Sequence, residues 1–168
     1  MNDYLRLVDT QTQGRRYDVT PLFANYAAFS ELVEDLIQPF TGGKVDCVAG
    51  IDALGFILGA AMAIRLKVGF IPVRKGGKLP VRCDTARFVD YTGQGKSLEL
   101  RPGAVRARTR VLMVDEWVET GAQVKAAIEL VEKQGGVVIG IAAINIDDNP
   151  STRVLREKYT CHTVWRED

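Results

Sequence analysis

The chain has 168 residues, of which 46% are hydrophobic and 26% are charged, and these values are ordinary for one soluble globular domain with a sizeable core. Its 22 basic and 21 acidic residues leave a formal charge of +1, which argues against a nucleic-acid-binding protein that depends on broad positive charge. Three widely spaced cysteines and a single histidine argue against a disulfide framework and against a zinc site.

Hydropathy along the chain predicts neither export nor membrane insertion. The N-terminus lacks the apolar core of a signal peptide. The longest apolar run, residues 54–64, is too short to span a bilayer and contains two glycines. We therefore expect a cytoplasmic protein with no membrane partner and no nucleic-acid partner.

The first half of the chain alternates between helical and strand patterns. Residues 1–20 are mixed and polar, and we interpret them as a lead-in segment or a flap. Apolar residues recur at helical spacing over 21–37. A β-branched run predicts a buried strand at 45–51, a nearly continuous apolar segment predicts a buried helix at 53–66, and a second strand follows at 68–73. This order indicates a parallel sheet with right-handed crossovers.

The alternation of strand and helix breaks over residues 74–102. This segment is rich in Gly, Lys and Arg, and its patterns predict a long basic loop followed by a two-stranded excursion near 86–91 and 96–101. Further elements follow, with strands predicted at 111–115, 137–146 and 161–165 and helices at 123–134 and 150–158. We predict a single α/β domain over 1–168, in which an open twisted parallel sheet of about five strands carries helices on both faces and the 74–102 region forms a small hood.

The stretch VLMVDEWVETGAQ, residues 111–123, predicts a ligand site. A buried strand ends in two adjacent carboxylates, Asp115 and Glu116, and a turn containing Thr120 and Gly121 then opens a helix. Open α/β sheets bind ligands at the carboxyl ends of their strands, and the free amides at a helix start suit a phosphate. The carboxylates can accept ribose hydroxyls or hold a hydrated Mg²⁺. The stretch therefore predicts a site for a phosphorylated sugar.

Three stretches of this chain resemble the type I phosphoribosyltransferases, and among them the adenine phosphoribosyltransferases. They are YDVTPLF at 17–23, GIDALGFILGAAMAIRLKVGFIPVRKGGKLP at 50–80 and SLELRPGAVRARTRVLMVDEWVETGAQ at 97–123. The resemblance implies the type I fold and transfer of ribose 5-phosphate from 5-phosphoribosyl 1-pyrophosphate to a purine or purine-like base, with release of pyrophosphate. It also implies Mg²⁺ bound through the substrate, with no direct protein ligand assigned to the metal, and a homodimer.

The same resemblance implies roles for individual side chains. Asp115 and Glu116 would hold the ribose hydroxyls as catalytic carboxylates, and RKGGKLP would stabilise the pyrophosphate. The implied donor-binding residues are Asp115, Glu116, Thr120, Gly121, Ala122, Gln123, Arg74, Lys75 and Lys78, and the implied hood residues are Asp90 and Tyr91. The alternative for the basic residues is a solvated loop.

Glu119 is a departure from the family pattern in the acceptor region. Adenine-specific members have Ala at this position, whereas the related 6-oxopurine enzymes have an Asp close to N7 of the base. We predict that Glu119 is a catalytic acid or base; the alternative is drift in a site no longer used.

Two further departures lie on other loops. Arg16 stands where the family stacks the purine on Phe, so we assign Arg15, Arg16 and Tyr17 to base binding, with an exposed basic turn as the alternative. Leu54 replaces an Arg that contacts pyrophosphate in the family, and this loss predicts a slow enzyme or a changed acceptor. A sensor that binds the donor or a nucleotide without catalysis, and an enzyme that removes a base from a nucleotide, are the competing hypotheses.

Overall fold

The computed structural model describes residues 2–13, 16–43, 45–90 and 92–165. Arg15 and Tyr91, predicted base-binding and hood residues, lie outside the described residues. The strands are β1 (Cys47–Ile51), β2 (Gly69–Lys75), β3 (Asp84–Val89), β4 (Gly95–Leu100), β5 (Arg110–Val114), β6 (Trp117–Val118), β7 (Val137–Ala143), β8 (Asn145–Ile146) and β9 (Thr160–Thr163). The helices are α1 (Thr20–Ala24), α2 (Tyr26–Ile37), α3 (Leu54–Leu66), α4 (Ala122–Lys133) and α5 (Pro150–Lys158), with 3-10 turns at Asp3–Leu7 and Gln38–Phe40.

The main sheet has seven strands in the order β3-β4-β2-β1-β5-β7-β9. The segment from β2 to β9 is parallel, which confirms the predicted parallel sheet of about five strands. The predicted two-stranded excursion is the antiparallel hairpin β3–β4. Strand β4 of this hairpin also pairs with the end of β2, at Arg74 and Lys75. The hairpin therefore extends the main sheet.

Helices cover both faces of the sheet, as predicted, and β5 shows why. Four successive residues of β5, Val111 to Val114, are 0% exposed, as in a parallel strand with both faces covered. Side chains alternate between faces along a strand, so Val111 and Met113 pack with α4 while Leu112 and Val114 pack with α2 and α3.

The N-terminal segment is more ordered than a lead-in or flap. Tyr4, Leu5 and Val8 are buried in the core on the α2 and α3 face, because the 3-10 turn directs them against α2. Two backbone hydrogen bonds between Asp9 and Asp18, of 2.9 and 3.0 Å, then close the base of a loop over residues 9–18. The part of this segment that reaches the sheet edge is that loop.

Two predicted elements are each divided into two. The helix predicted at 21–37 is interrupted at Asn25, whose extended backbone ends α1 and whose side chain accepts a hydrogen bond from the Ala28 amide to cap α2. The strand predicted at 137–146 is interrupted at Ile144, and β8 pairs with β6 in a separate two-stranded sheet. Among the described residues, no helix combines the length and apolarity needed to cross a bilayer.

Candidate functional site

A cavity of about 140 Å³ lies where β1, β2 and β5 end at the carboxyl edge of the sheet. Parallel strands deliver their following loops to one edge, so residues distant in sequence meet there. The residues that line it are Arg16, Asp52, Ala53, Leu54, Lys75, Asp115, Glu116, Trp117 and Gln123. Six of the positions discussed from the sequence therefore surround one cavity: Arg16, Leu54, Lys75, Asp115, Glu116 and Gln123.

Two neighbouring cavities share walls with the first. A larger one, of about 470 Å³, lies between Arg16, Lys75 and the β3–β4 hairpin, where Asp90 also lines it. A small one is lined by the loop 118–121 together with Asp115 and Gln123. The three adjoining cavities together offer room for an extended ligand along the sheet edge.

Asp115 follows β5 directly and is 2% exposed. Its Oδ2 accepts a hydrogen bond from Nε2 of Gln123 at 3.0 Å, and its Oδ1 accepts one from the Glu116 amide at 2.9 Å. Gly55, at the start of α3, allows this close packing, because a Cβ there would lie 2.7 Å from the Val114 carbonyl oxygen and 3.3 Å from Oδ1 of Asp115. Burial, and then the adjacent charge of Glu116, raise the pKa of Asp115 well above its ordinary value.

One guanidinium joins Glu119 and Glu116, two further acids of the site. Nε of Arg16 lies 2.5 Å from Oε1 of Glu119, and its Nη1 lies 3.7 Å from Oε1 of Glu116. The Arg16 side chain is 46% exposed, whereas those of Glu119 and Glu116 are 21% and 14% exposed. In this state, the acid predicted for the acceptor and an acid predicted for the ribose share one cation.

The loop between β6 and α4 has the geometry of an anion cradle. Gly121 adopts φ +74°, and no side chain caps the start of α4. The amides of Gln123 and Val124 in the first turn of this helix are consequently available to a phosphate. Thr120 Oγ1 accepts a hydrogen bond from the Ala122 amide at 3.3 Å, which fixes the turn. The Gln123 side chain is directed to Asp115 here, so it links the cradle to the carboxylate.

Asn149 connects this loop to α5, and the sequence predictions did not include it. Its Nδ2 donates to the Glu119 carbonyl at 2.7 Å, while its Oδ1 accepts from the amides of Ser151 and Thr152. The hydroxyl of Thr152 accepts from the Asn149 amide and completes a capping box. The sequence Asn-Pro-Ser-Thr at 149–152 is a recognisable helix start, but nothing in it reveals the bond to Glu119.

The basic residues predicted for pyrophosphate occupy different positions. Arg74 lies over the Phe56 ring at 5.8 Å and donates to Asp52 at 3.2 Å. Lys75 lines both the 140 Å³ and the 470 Å³ cavities. Lys78 is exposed and lies outside the lining of these cavities. Lys75 is therefore the member of the group already at the site.

Asp90 shapes the hairpin above the site. Its Oδ1 accepts hydrogen bonds from the Thr92 hydroxyl at 2.6 Å and from the amides of Thr92 and Gln94 at 2.9 and 3.0 Å. The bond from Thr92 is the main reason that the pKa of Asp90 lies below its ordinary value. The carboxylate thus holds the β3–β4 turn in a shape that places Phe88 and Asp90 on the cavity walls.

Tyr17 belongs to an aromatic cluster rather than to an open surface. Its ring centre lies 5.3 Å from that of Trp117 and 5.5 Å from that of Trp165. Trp117 is 7% exposed and donates through Nε1 to Asp147 at 3.0 Å. Through Trp117, this cluster forms part of the wall of the 140 Å³ cavity. Of the predicted base-binding residues that the structure describes, Arg16 lines both this cavity and the 470 Å³ cavity.

The carboxylates of the site suit a metal ion that arrives with a substrate. Within the described parts of the chain, no group of three or more His, Cys, Asp or Glu side chains is arranged to hold a metal ion. Asp115 and Glu116 nevertheless present two carboxylates beside the cavity. Mg²⁺ is commonly bound by one or two carboxylates, with substrate phosphates and water completing its coordination.

Comparisons with known proteins identify relatives of this chain. A family model for the phosphoribosyl transferase domain matches residues 20–165. The adenine phosphoribosyltransferase of Dinoroseobacter shibae is 39% identical over 160 residues, which cover 94% of this chain and 89% of that protein. The Cereibacter sphaeroides enzyme of the same name is 40% identical over 146 residues, covering 86% of this chain and 82% of that protein.

Two solved structures share the fold. The adenine phosphoribosyltransferase of Thermoanaerobacter pseudethanolicus has a TM-score of 0.85 and 33% identity, with 94% of each chain covered. The Saccharomyces cerevisiae enzyme, complexed with D-2,5-dideoxy-2,5-imino-altritol 1,6-bisphosphate and adenine, has a TM-score of 0.81 and 28% identity, covering 97% of this chain and 99% of that chain.

The double role of Asn149 can be separated by substitution. In Asn149→Ser the hydroxyl can still cap α5, so thermal stability stays near that of the original protein, but the donor to the Glu119 carbonyl is lost. Affinity for ribose 5-phosphate, measured by calorimetry, should fall about two- to tenfold. Asn149→Ala should show the same loss of affinity and also lower the free energy of unfolding by about 0.5–2 kcal/mol. Unchanged affinity in Asn149→Ser would leave Asn149 as a cap alone.

The buried charge of Asp115 should lower the stability of the free protein at neutral pH. A carboxyl with a raised pKa in the folded state favours folding when protonated, and this contribution is lost as pH rises through the folded-state pKa. Asp115→Asn should therefore raise the thermal midpoint at pH 7–8, by about 2–4 °C for each kcal/mol gained, and flatten its decline with pH.

Differential scanning fluorimetry between pH 5 and 9 measures this effect. Asp148→Asn is the matched control, because the exposed Asp148 pairs with Arg153 and its pKa lies below the ordinary value. That substitution should not raise the midpoint. An Asp115→Asn protein with the original pH profile would contradict the buried-charge account.

Proposed function

We propose that this chain, which belongs to the phosphoribosyltransferase family, transfers the 5-phosphoribosyl group of 5-phosphoribosyl 1-pyrophosphate to a nitrogen of a purine base and releases pyrophosphate. It is an enzyme of the pentosyltransferase class. The observation that carries the chemistry is the meeting of Asp115 and Glu116 with the uncapped start of α4 at one sheet edge. The two carboxylates suit the ribose diol, and the amides at the start of α4 suit the phosphate.

The donor would lie across the adjoining cavities. Its 5′-phosphate would accept hydrogen bonds from the amides of residues 120–123 at the start of α4, and its ribose hydroxyls would donate to Glu116 and Asp115. Its diphosphate would extend toward Lys75 at the end of β2, with Arg74 beside it on the same strand and Lys78 on the loop that follows. The hairpin carrying Asp90 and Tyr91 would close over it and exclude water.

The reaction exchanges one bond at C1 of the ribose for another. The bond from C1 to the diphosphate oxygen breaks, and its electron pair leaves with pyrophosphate. C1 then bonds to the base nitrogen, whose proton passes to Glu119. The ribose carries positive charge in the transition state, which the carboxylates of Asp115 and Glu116 stabilise.

Mg²⁺ fits this site as a companion of the donor. Glu116 and Asp115 would hold it together with donor oxygens and water. When bound, the ion supplies positive charge that offsets the charge developing on pyrophosphate. Burial and the adjacent charge of Glu116 raise the pKa of Asp115 and so disfavour its charged form in the free site, and donor affinity should therefore increase with pH.

The acceptor is a purine or a close analogue, and Glu119 sets its chemistry. Relatives at about 40% identity carry the name adenine phosphoribosyltransferase. Here the carboxylate of Glu119, with Arg16 bound to it, stands beside the cavity that adjoins the cradle. In the free site Arg16 and Tyr17 lie on the N-terminal side of the proposed base site, and Arg15, also proposed for base binding, precedes them in the sequence. An acid at position 119 favours a base that releases its proton during transfer.

Turnover with a panel of bases tests this function. The protein is incubated with 5-phosphoribosyl 1-pyrophosphate, Mg²⁺ and adenine, hypoxanthine, guanine or xanthine, and pyrophosphate and nucleotide are followed together. At least one base should yield both products in equal amounts. Binding of the donor without turnover for any base would favour a sensor, and release of base from a nucleotide alone would favour the hydrolytic alternative.

Glu119→Gln tests the acid–base role. Removal of the proton acceptor should lower kcat about a hundredfold or more, with little change in the KM for the donor. Glu129→Gln is the control, since Glu129 is an exposed carboxylate on α4, and its kinetics should match the original enzyme. Full activity in Glu119→Gln would refute the catalytic assignment.

We also propose that the chain forms one domain that pairs as a homodimer through α3. Ile57 and Ile64 are 45% and 77% exposed and, seven residues apart, lie on one face of this helix, whose opposite face is buried in the core. Sedimentation of the original protein should give the mass of two chains, and Ile64→Glu should shift it toward one. A monomer at micromolar concentration would contradict the proposal.

A further inference from the structure

Arg16 and Leu54 line the same 140 Å³ cavity, although they belong to separate loops. In the family pattern described above, the residue at position 54 is a cation and the residue at position 16 is an aromatic ring. In this chain the cation is at position 16. The cavity lining therefore holds a guanidinium on the loop over residues 9–18 and an aliphatic side chain at position 54.

We propose that Arg16 binds the diphosphate of the donor in place of the cation missing at position 54, and that it leaves Glu119 and Glu116 to do so. The proposal rests on the phosphoribosyltransferase function. It assigns Arg16 to the donor, whereas its position in the family pattern pointed to the base. One residue would thus pair with the acids in the free site and with the diphosphate in the loaded site.

The acidic lining of the 140 Å³ cavity would repel a diphosphate unless cations lie beside it. Asp52, Asp115 and Glu116 contribute carboxylates to the lining. Arg16 and Lys75 are the two cationic side chains among the described residues that line it. A diphosphate bearing several negative charges would meet these acids with Lys75 alone if Arg16 stayed on Glu119.

Arg16 is attached in a way that permits the exchange. Its side chain is 46% exposed, so water and salt screen its ion pairs, although the side chains of Glu119 and Glu116 are only 21% and 14% exposed. Its loop is tied at the base by Asp9 and Asp18 and near its tip by the Thr12 hydroxyl, which donates to the Arg16 carbonyl at 2.6 Å. The position of the Arg16 backbone is thereby fixed by contacts that do not involve its guanidinium.

The larger cavity shows where the side chain can reach. Arg16 lines the 470 Å³ cavity as well as the smaller one, and Lys75 does the same. A guanidinium between the two can bind phosphate oxygens with two parallel hydrogen bonds, which a lysine cannot. The exchange also frees Glu116 for the ribose and Glu119 for the base, so donor binding would prepare the acceptor site.

Steady-state kinetics of a double-mutant cycle test the proposal. Arg16→Ala should raise the KM for the donor about ten- to a hundredfold, as expected for the loss of a charge-assisted contact, with a smaller change in the KM for the base. Leu54→Arg in the Arg16→Ala background should restore most of the donor KM. Arg16→Lys should give an intermediate value.

The control is Arg110→Ala, since Arg110 has a side chain of similar exposure, 44%, and pairs with Asp46 at the opposite end of β5. Its donor KM should equal that of the original enzyme. An unchanged donor KM in Arg16→Ala, or a rise in the KM for the base alone, would overturn the proposal. Failure of Leu54→Arg to rescue a folded Arg16→Ala protein would overturn it as well.

Binding of pyrophosphate gives a readout independent of turnover. Calorimetry with inorganic pyrophosphate and Mg²⁺ should show the same ten- to hundredfold loss of affinity in Arg16→Ala, about the effect of one charge-assisted hydrogen bond. Equal affinity in the original protein and Arg16→Ala would refute the role of Arg16 even if Leu54→Arg does not fold. A protein that binds pyrophosphate through Arg16 yet turns over no base would refute the enzymatic function while supporting this inference.

Discussion

The burial of Asp115 at the end of β5 is the constraint on which the site depends. A parallel sheet covered on both faces delivers this carboxylate into a place where Gly55 leaves room for it and Gln123 binds it. Its charge is unfavourable there, and the adjacent Glu116 makes it more so. A ligand that brings a cation or hydroxyl donors to Asp115 offsets the unfavourable free energy of its buried charge. This gain favours ligand binding.

The free protein satisfies its acids with its own side chains. Gln123 engages Asp115, while Arg16 engages Glu116 and Glu119. Solvent screens the pairs that Arg16 makes, because its guanidinium is 46% exposed, and they are weaker than the several charge-assisted bonds that a bound polyanion makes. The internal pairs can therefore keep the acids from repelling one another without competing strongly with a substrate. Asn149 and α5 hold the loop that carries Glu119 while these partners change.

The sequence predicted the parts of the molecule that depend on local pattern. An apolar run, two carboxylates and a Thr-Gly turn were enough to locate β5, the acids and α4. The contact between Arg16 and Glu119 was beyond prediction, because it joins residues 103 positions apart through an irregular loop. The bond from Asn149 to Glu119 was missed for the same reason, although the capping motif around Asn149 is visible. The β3–β4 hairpin was predicted from its local pattern. Its pairing with β2 was not predicted, because it joins residues more than twenty positions apart, Arg74 with Glu99 and Lys75 with Leu98.

A crystal structure with Mg²⁺ and a non-reactive analogue of 5-phosphoribosyl 1-pyrophosphate tests the central claim most directly. The account predicts the analogue's phosphate on the amides at the start of α4, its hydroxyls on Asp115 and Glu116, and the Arg16 guanidinium on its diphosphate. An analogue bound away from the carboxyl end of β5 would contradict the site. An analogue bound there with Arg16 still on Glu119 would contradict the exchange.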